Sequence, residues 1–376
     1  MAKILLLSNL FPTVARPSGA PFISERIVEH RAAGHQIDRI DLRLAPSTPL
    51  RLILEKSGRD VEDPTLDSAP FIRLTSGLLD YQRMHRSKDR GAWARRAAEL
   101  VSRRCLGDDY DVIHAHGMYR VGAGLVAQEL SERTGIPYAV TIHGSDLYNG
   151  MHRRPSEFRR ALRGAHSVMY VSAPLRDAAV GLGAPLEGAV VTGNGVDLDT
   201  FTLGSQDRDF EVLFVGNLAS VKGADRLPAI FRRVSSMNPR AKFTIIGVGA
   251  LRQDIEEATS GLPVSFLGAQ NRRSVAAAMR RASVQVLPSR SEGWPTVINE
   301  ALASGTAIAA TNVGGVAAAL DQREWLVDPG ANVEERMARL ISLLLEFPPD
   351  RSALRGRAEK FSWTSIAAIE RQALGI

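Results

Sequence analysis

The sequence predicts an α/β chain of two doubly wound parallel-sheet domains facing across a cleft. Three observations predict it. The chain has 376 residues, more than one hydrophobic core ordinarily serves, so two domains of ordinary size are expected. Short apolar, β-branched runs alternate with helical stretches, as crossover helices between parallel strands require. The alternation also falls into two series, separated by the polar segment LGSQDRDF at 203–210. The boundaries that follow are an N-terminal domain over 1–203 and a C-terminal domain over 204–361, with a last helix over 362–376 that packs back on the first.

KILLLSN at the start is a buried strand, and the loop FPTVARPSGAPF follows it where a Rossmann-type unit carries its ligand. No GxGxxG is present, so the loop is not a dinucleotide fingerprint. SERIVEHRAAGHQIDRIDL reads as a helix stopped by Gly34 and then a second strand. Residues 45–80 contain several prolines and no clear period. GAWARRAAELVSRRC is an amphipathic helix with Trp93, Ala97, Leu100 and Val101 on one side and arginines on the other. DVIHAHG, YAVTIHG and SVMYVS are further strands, and VVTGNGVDLDTF is a glycine-rich turn after another. The second series runs through EVLFVGN, KGADRLPAIFRRV, AKFTIIGVGA, VSFLG, SVAAAMRRA, VQVLPS and TAIAATN, and FSWTSIAAIERQAL closes the chain, anchored by Trp363.

Composition narrows the class. With 44% hydrophobic and 23% charged residues the chain has the balance of a globular enzyme, and no run approaches the roughly 20 apolar residues of a membrane span. MAKILLLSNLF suits a first buried strand better than a signal peptide. Cys105, the single cysteine, excludes an internal disulfide and is consistent with a reducing cytosol. The expected location is cytoplasmic, peripheral on the inner face of the cell membrane. The net charge of +6 is concentrated in two arginine-rich segments, 83–104 and 153–163. These suit an anionic membrane face or a pyrophosphate-linked acceptor, with a solvated helix face as the plain alternative. Nucleic acid is not expected, because aromatic residues are few and not interleaved with the basic ones.

The chemistry concentrates at Pro288–Gly315. A strand, VQVLP, leads into the turn SRSEGWP, and a helix begins near Trp294 with Pro295 at its first position. The first amides of that helix, at Thr296 and Val297, lack partners within it and sit at the positive end of its dipole, which makes an anion site. Glu292 lies in the turn and Glu300 about one and a half turns into the helix. Carboxylates beside a phosphate would repel it, so they are read as acceptors for sugar hydroxyls. A ligand with phosphates flanked by two polyols is a nucleotide sugar. Lys222, in the loop after the first strand of the second series, can reach phosphates, although a lone loop lysine is ordinarily just solvated. His114 and His116 form an HxH on a strand, but no Asp, Glu or Cys follows at ligand spacing, so no metal is expected. His143 ends a strand, where ligands of open α/β sheets gather.

In order and spacing these segments resemble the retaining glycosyltransferases of family 4, which have the GT-B fold of two Rossmann-like domains. The most specific match is EGWPTVINEALASGTAIAATNVGG, with a glutamate, seven residues and a second glutamate at Glu292 and Glu300. FPTVARPSGAPF, DVIHAH, TIHGSD, NGVDLDTF, FVGNLASVKG, IIGVG and VSFLG extend the likeness over nearly the whole chain. The first loop is similar to that of enzymes building capsular, teichuronic or exopolysaccharide chains. The resemblance implies transfer of a sugar from a nucleoside diphosphate sugar, UDP rather than GDP, to a glycan or polyprenyl-linked acceptor, without cofactor or metal. It implies that Glu292 contacts the donor sugar, Glu300 the ribose, and Lys222 with the Thr296 and Val297 amides the diphosphate, with Trp294 and Pro295 shaping the turn. His143 would face the transferred sugar, Gly19 would let the first loop approach the phosphate, Gly268 would lie near the base, and Asp146 and His116 on the acceptor side. Asn217 stands where the family commonly has Arg, so either Lys222 and the helix start suffice or another arginine, such as Arg290 or Arg252, substitutes. A glutamate often found after the glycine pair is absent from GGVAAAL, and Ser18 and Gly19 replace two glycines. The alternatives weighed are a nucleotide-sugar epimerase or a phosphorylase of the same fold, and a nucleotide-sugar-binding protein with weakened turnover.

Overall fold

A computed structural model of the chain describes residues 1–11, 21–46, 49, 53, 56, 71–76, 90–105, 109–118, 122–204, 210–320 and 322–376. They form two compact units, Met1–Thr192 with Ala367–Ile376, and Gly193–Ile366.

The first unit is built on seven strands, β1 (Lys3–Ser8), β2 (Gln36–Pro46), β3 (Phe71–Ser76), β4 (Val112–His116), β5 (Tyr138–Ile142), β6 (Ser167–Tyr170) and β7 (Ala189–Val191). They lie in the order β3-β2-β1-β4-β5-β6-β7, and every pairing is parallel. The run Ile4–Leu7 is buried on both faces of the sheet, which is why these strands read as continuous apolar segments. Helices α1 (Pro21–Ala32), α2 (Arg90–Cys105), α3 (Ala123–Thr134), α4 (Pro155–Arg163) and α5 (Ala173–Gly181) supply the crossovers described. Ile4, Leu6, Ile23, Ile27 and Val112 share one core cluster with Ala373 and Leu374 from the end of the chain.

Helix α2 shows where its apolar stripe goes. Ala94, Ala97, Ala98 and Val101 are buried within the unit, while Trp93 and Leu100 lie half-buried at the margin. Outward, Arg96 and Arg103 both bond to Glu99. The helix is therefore a half-buried surface helix, and the side it offers outward is basic. Arg83, Arg86 and Lys88 lie outside the described residues, as does Gly19. No helix among the described residues is long and apolar enough to cross a membrane.

The second unit repeats the plan with β8 (Glu211–Val215), β9 (Lys242–Ile246), β10 (Val264–Gly268), β11 (Val284–Leu287), β12 (Ala307–Thr311) and β13 (Leu326–Val327). Their order is β10-β9-β8-β11-β12-β13, again all parallel. Helices α6 (Leu227–Met237), α7 (Arg252–Ala258), α8 (Arg272–Arg281), α9 (Thr296–Ala303), α10 (Val316–Leu320), α11 (Val333–Glu346) and α12 (Arg351–Glu359) accompany it, and α13 (Trp363–Leu374) ends the chain. In each sheet the strand order reverses direction between the unit's first and fourth strands, β1 and β4 in one and β8 and β11 in the other. Such a reversal opens a crevice at the carboxyl ends of those strands.

The division at Thr192 and Gly193 precedes the sequence boundary at 203. Segment 193–203 is bonded into the second unit: the Asn194 carbonyl accepts from Asn299 at 3.0 Å and the Leu198 carbonyl from Arg355 at 2.9 Å. Val196 also bridges to Ser362. Helix α13 is shared, its residues through Ile366 belonging to the second unit and those from Ala367 to the first.

Candidate active site

In the second unit, the loops after β8 and β11 emerge side by side at the strand-order reversal. Lys222 Nζ donates to both carboxylate oxygens of Glu292, at 2.7 and 2.8 Å, and Ser289 Oγ donates to Glu292 Oε1 at 2.7 Å. Glu292 is buried and the lysine side chain about one-third exposed at 34%. An ammonium has three donors and an ionised carboxylate about four acceptor sites. The pair therefore retains one N–H and one acceptor position on Oε2 for a ligand.

Two glycines make this approach of loops feasible. At Gly314, with φ +54°, an added Cβ would lie 1.8 Å from the Glu292 carbonyl, which accepts instead from Gly315 N at 3.2 Å. At Gly223, with φ +67°, a Cβ would lie 1.9 Å from the Pro288 carbonyl. Glycine is the residue for both places because the left-handed conformation and the close backbone leave no room for a side chain.

Helix α9 begins at Thr296, one residue after the Pro295 that the sequence places at its first position. Pro295 is its N-cap, with extended backbone at φ −79° and ψ 103°. Thr296 and Val297 are thus the first two helical residues, both half-buried, and their amides point out of the helix start. Glu300 follows on the same helix, half-buried. Trp294 serves the turn differently: its ring stands edge-on to Phe361 at 5.2 Å and lies 3.4 Å from where a Cβ on Gly193 would be. Asn217 is exposed just beyond β8, and Gly268 ends β10 with φ +67°. Each arginine named as a stand-in for the missing cation has a carboxylate partner. Arg290 forms a bidentate pair with Asp225 at 2.7 and 2.6 Å, and Arg252 bonds Glu256 at 2.9 Å along α7.

In the first unit, His114, His116 and His143 gather at the ends of β4 and β5. His116 Nδ1 lies 3.4 Å from His143 Nε2, and His114 Nε2 lies 2.8 Å from Thr141 Oγ1. Phe22 covers His143 with ring centroids 4.7 Å apart. Asp146 accepts from the His143 amide at 2.6 Å and from the Met118 amide at 2.7 Å, tying the two strand ends together. Beside this cluster, Arg26 Nε pairs with Glu370, and His30 Nε2 lies 3.3 Å from Glu370 Oε2. Burial would raise the Glu370 carboxyl, but the Arg26 charge and the His30 hydrogen bond override it and bring its pKa down to about 2. No group of three His, Cys, Asp or Glu among the described residues is placed to hold a metal ion.

Burial brings the His114 and His143 pKa values down to about 3 and that of His116 well below its ordinary value. The unfolded chain therefore takes up protons before the folded one as pH falls below about 6.5. Stability from these histidines is complete above that pH and is lost as pH falls toward 3, by up to about 1.4 kcal/mol per pH unit for each. Glu370 acts in the same direction, its contribution being lost between its unfolded value and about 2. A melting temperature constant from pH 8 to 7 and falling below 6.5 is the expected result; one that stays flat to pH 4.5 contradicts the neutral, buried assignment.

Ser289, Asp225, Arg26, Phe22 and Glu370 were not singled out from the sequence. Only Ser289 carried a usable signal, lying three residues before Glu292 in an S-x-x-E spacing.

The family described as Glycosyl transferases group 1 matches residues 196–361, and that described as Glycosyltransferase Family 4 matches residues 27–200. The chain is 27% identical over 349 residues to TuaC of Bacillus subtilis (strain 168), a glycosyltransferase named for teichuronic acid biosynthesis, covering 86% of this chain and 85% of that one. It is 30% identical over 297 residues to a D-inositol 3-phosphate glycosyltransferase of Paenarthrobacter aurescens (strain TC1), covering 69% of this chain and 71% of the relative. Among solved structures, sucrose-phosphate synthase of Thermosynechococcus elongatus superposes with a TM-score of 0.76 at 19% identity, over 99% of this chain and 98% of that one. Anabaena HepE, solved in complex with UDP and glucose, superposes with a TM-score of 0.69 at 18% identity over the whole of both chains.

Proposed function

The chain belongs to the group 1, family 4 glycosyltransferases, and on that premise we propose that it moves a hexose-type sugar, with retention, from a nucleoside diphosphate sugar to a hydroxyl of a cell-surface glycan or its polyprenyl-linked precursor. The observation that carries this reading is the Lys222–Glu292 pair, set at the strand-order reversal beside the start of α9. One face of that arrangement supplies positive charge for a diphosphate, and the other a carboxylate for sugar hydroxyls.

In the proposed step the bond from the anomeric carbon to the leaving phosphate oxygen breaks, and a bond to the acceptor oxygen forms on the same face. The acceptor proton passes to the leaving phosphate. Lys222 and the amides of Thr296 and Val297 stabilise the charge that develops there, the task a metal would otherwise have. Glu292 orients the transferred sugar through its free acceptor position, Glu300 binds the ribose, and Gly268 borders the base. The family resemblance alone assigns His143 to the transferred sugar and His116 and Asp146 to the acceptor. The teichuronic acid name of TuaC suggests the acceptor class. The outward arginines of α2 and of 153–163 suit an anionic membrane face where a lipid-linked acceptor resides.

A melting-temperature panel with UDP, GDP, ADP and dTDP and their sugars tests the donor. A nucleotide at about 100 times its Kd stabilises a native protein by about 2.7 kcal/mol, and UDP, with which HepE was solved, is expected to give the largest rise. If none of the four raises the melting temperature, the donor reading fails. Proton NMR of the anomeric signal in the first product formed from an α-linked donor then distinguishes retention from inversion.

A further inference from the structure

Lys222 and Glu292 come from loops 70 residues apart in sequence, and their geometry depends on what holds those loops together. Arg290, two residues before Glu292, reaches back to the Lys222 loop in three ways. Its backbone amide donates to the Val221 carbonyl at 2.9 Å, and its guanidinium donates to the Ser220 carbonyl at 2.6 Å. The same guanidinium grips both oxygens of Asp225, at 2.7 and 2.6 Å. From the opposite loop Arg226 donates to the Pro288 carbonyl at 2.8 Å. Ser220, Val221 and Asp225 flank Lys222, and Pro288 and Arg290 precede Glu292, so the clasp sits on both sides of the ion pair.

From this geometry we propose that Asp225 and Arg290 are positioning residues that set Lys222 against Glu292, and so fix the spacing between diphosphate and transferred sugar. The inference rests on the donor-site reading given above. The Asp225 and Arg290 side chains are 36% and 40% exposed, and an ion pair that exposed adds little to global stability. Its worth lies in orientation. A planar guanidinium satisfies a carboxylate and a carbonyl together, which a single ammonium cannot do with the same rigidity.

The test compares Arg290→Ala, Arg290→Lys, Asp225→Asn, Lys222→Ala and the Arg290→Ala/Lys222→Ala double variant of the full chain, with melting temperature and binding of UDP, GDP, ADP and dTDP measured for each. Arg290→Ala and Asp225→Asn are expected to weaken nucleotide binding and donor kcat/KM about 10- to 100-fold, the scale of a small misplacement of binding groups, with the unliganded melting temperature lowered by less than about 3 °C. Arg290→Lys recovers part of the loss. In the Lys222→Ala background, removing Arg290 changes binding less than about twofold, because the two act as one unit. If Lys222→Ala weakens binding but Arg290→Ala does not, or if the two losses multiply, the positioning role is overturned and the donor site stands. If Lys222→Ala leaves binding unchanged, the donor-site reading and the inference built on it fall together.

Discussion

Sugar transfer by Lys222→Ala is expected to fall about 100- to 1000-fold, the scale on which removal of one donor from a developing oxyanion is felt. The structure adds a second consequence that the sequence did not suggest. Glu292 is 5% exposed and in that variant loses the one counter-charge it pairs with among the described residues. Stranding a buried charged group costs about 1–3 kcal/mol or more, which for a domain of this size lowers the melting temperature by about 2–4 °C per kcal/mol. The single variant thus confounds stability with chemistry, and the double variant Lys222→Ala/Glu292→Gln separates them. It is expected to regain most of the melting temperature, because the uncompensated charge is gone, while transfer remains lost. Recovery of transfer in the double variant, or near wild-type transfer in the single one, refutes the role of Lys222.

The largest effect on stability is expected at Arg26 and Glu370, whose side chains are 1% and 0% exposed. Glu370→Ala leaves a guanidinium buried near His30 and the His114, His116 and His143 cluster, and removing one partner of a buried pair costs about 3–5 kcal/mol. The first unit should melt lower by roughly 6–20 °C at the same conversion, as read by scanning calorimetry. Replacing both, as Arg26→Met with Glu370→Leu, is expected to restore most of the loss, because a packed apolar pair needs no desolvation. The change should also reach the site. Arg26 donates to the Phe22 carbonyl at 3.1 Å, and Phe22 is the ring against His143. A drop of less than about 2 °C for Glu370→Ala contradicts the assignment of a stabilising buried ion pair.

The fold was legible where local chemistry determines it. LLL in β1 and VLFV in β8 are apolar on both faces, as central parallel strands are, and VQVL in β11 is apolar but for Gln285. The strand β3 is not legible in the sequence because it lies in the stretch without a period, and among the described residues it is an edge strand paired with β2. Pro295 suits either the first helical position or an extended cap, and in the structure it is the cap, one residue outside the helix. The signature at Glu292 and Glu300 was readable because its spacing is local. The roles of arginines were not. Asp225 and Arg290 are 65 residues apart and Arg26 and Glu370 are 344 apart, and no spacing or composition says which of many arginines meets which carboxylate. That Arg290 bonds Asp225 and the Ser220 carbonyl, joining the two loops, is visible only in the structure.

The division of the chain has a consequence for the order in which it can fold during synthesis. The second unit is one continuous segment, Gly193–Ile366, and all of it has left the ribosome before the last ten residues emerge. Those ten complete the first unit, supplying Ala373 and Leu374 to the cluster around Ile4 and Leu6 and Glu370 to Arg26. The half made first is therefore finished last. Until then α1 carries Arg26 without the Glu370 carboxylate, so the nascent N-terminal half should resemble an intermediate that waits on residues 367–376, while the half made second matures independently.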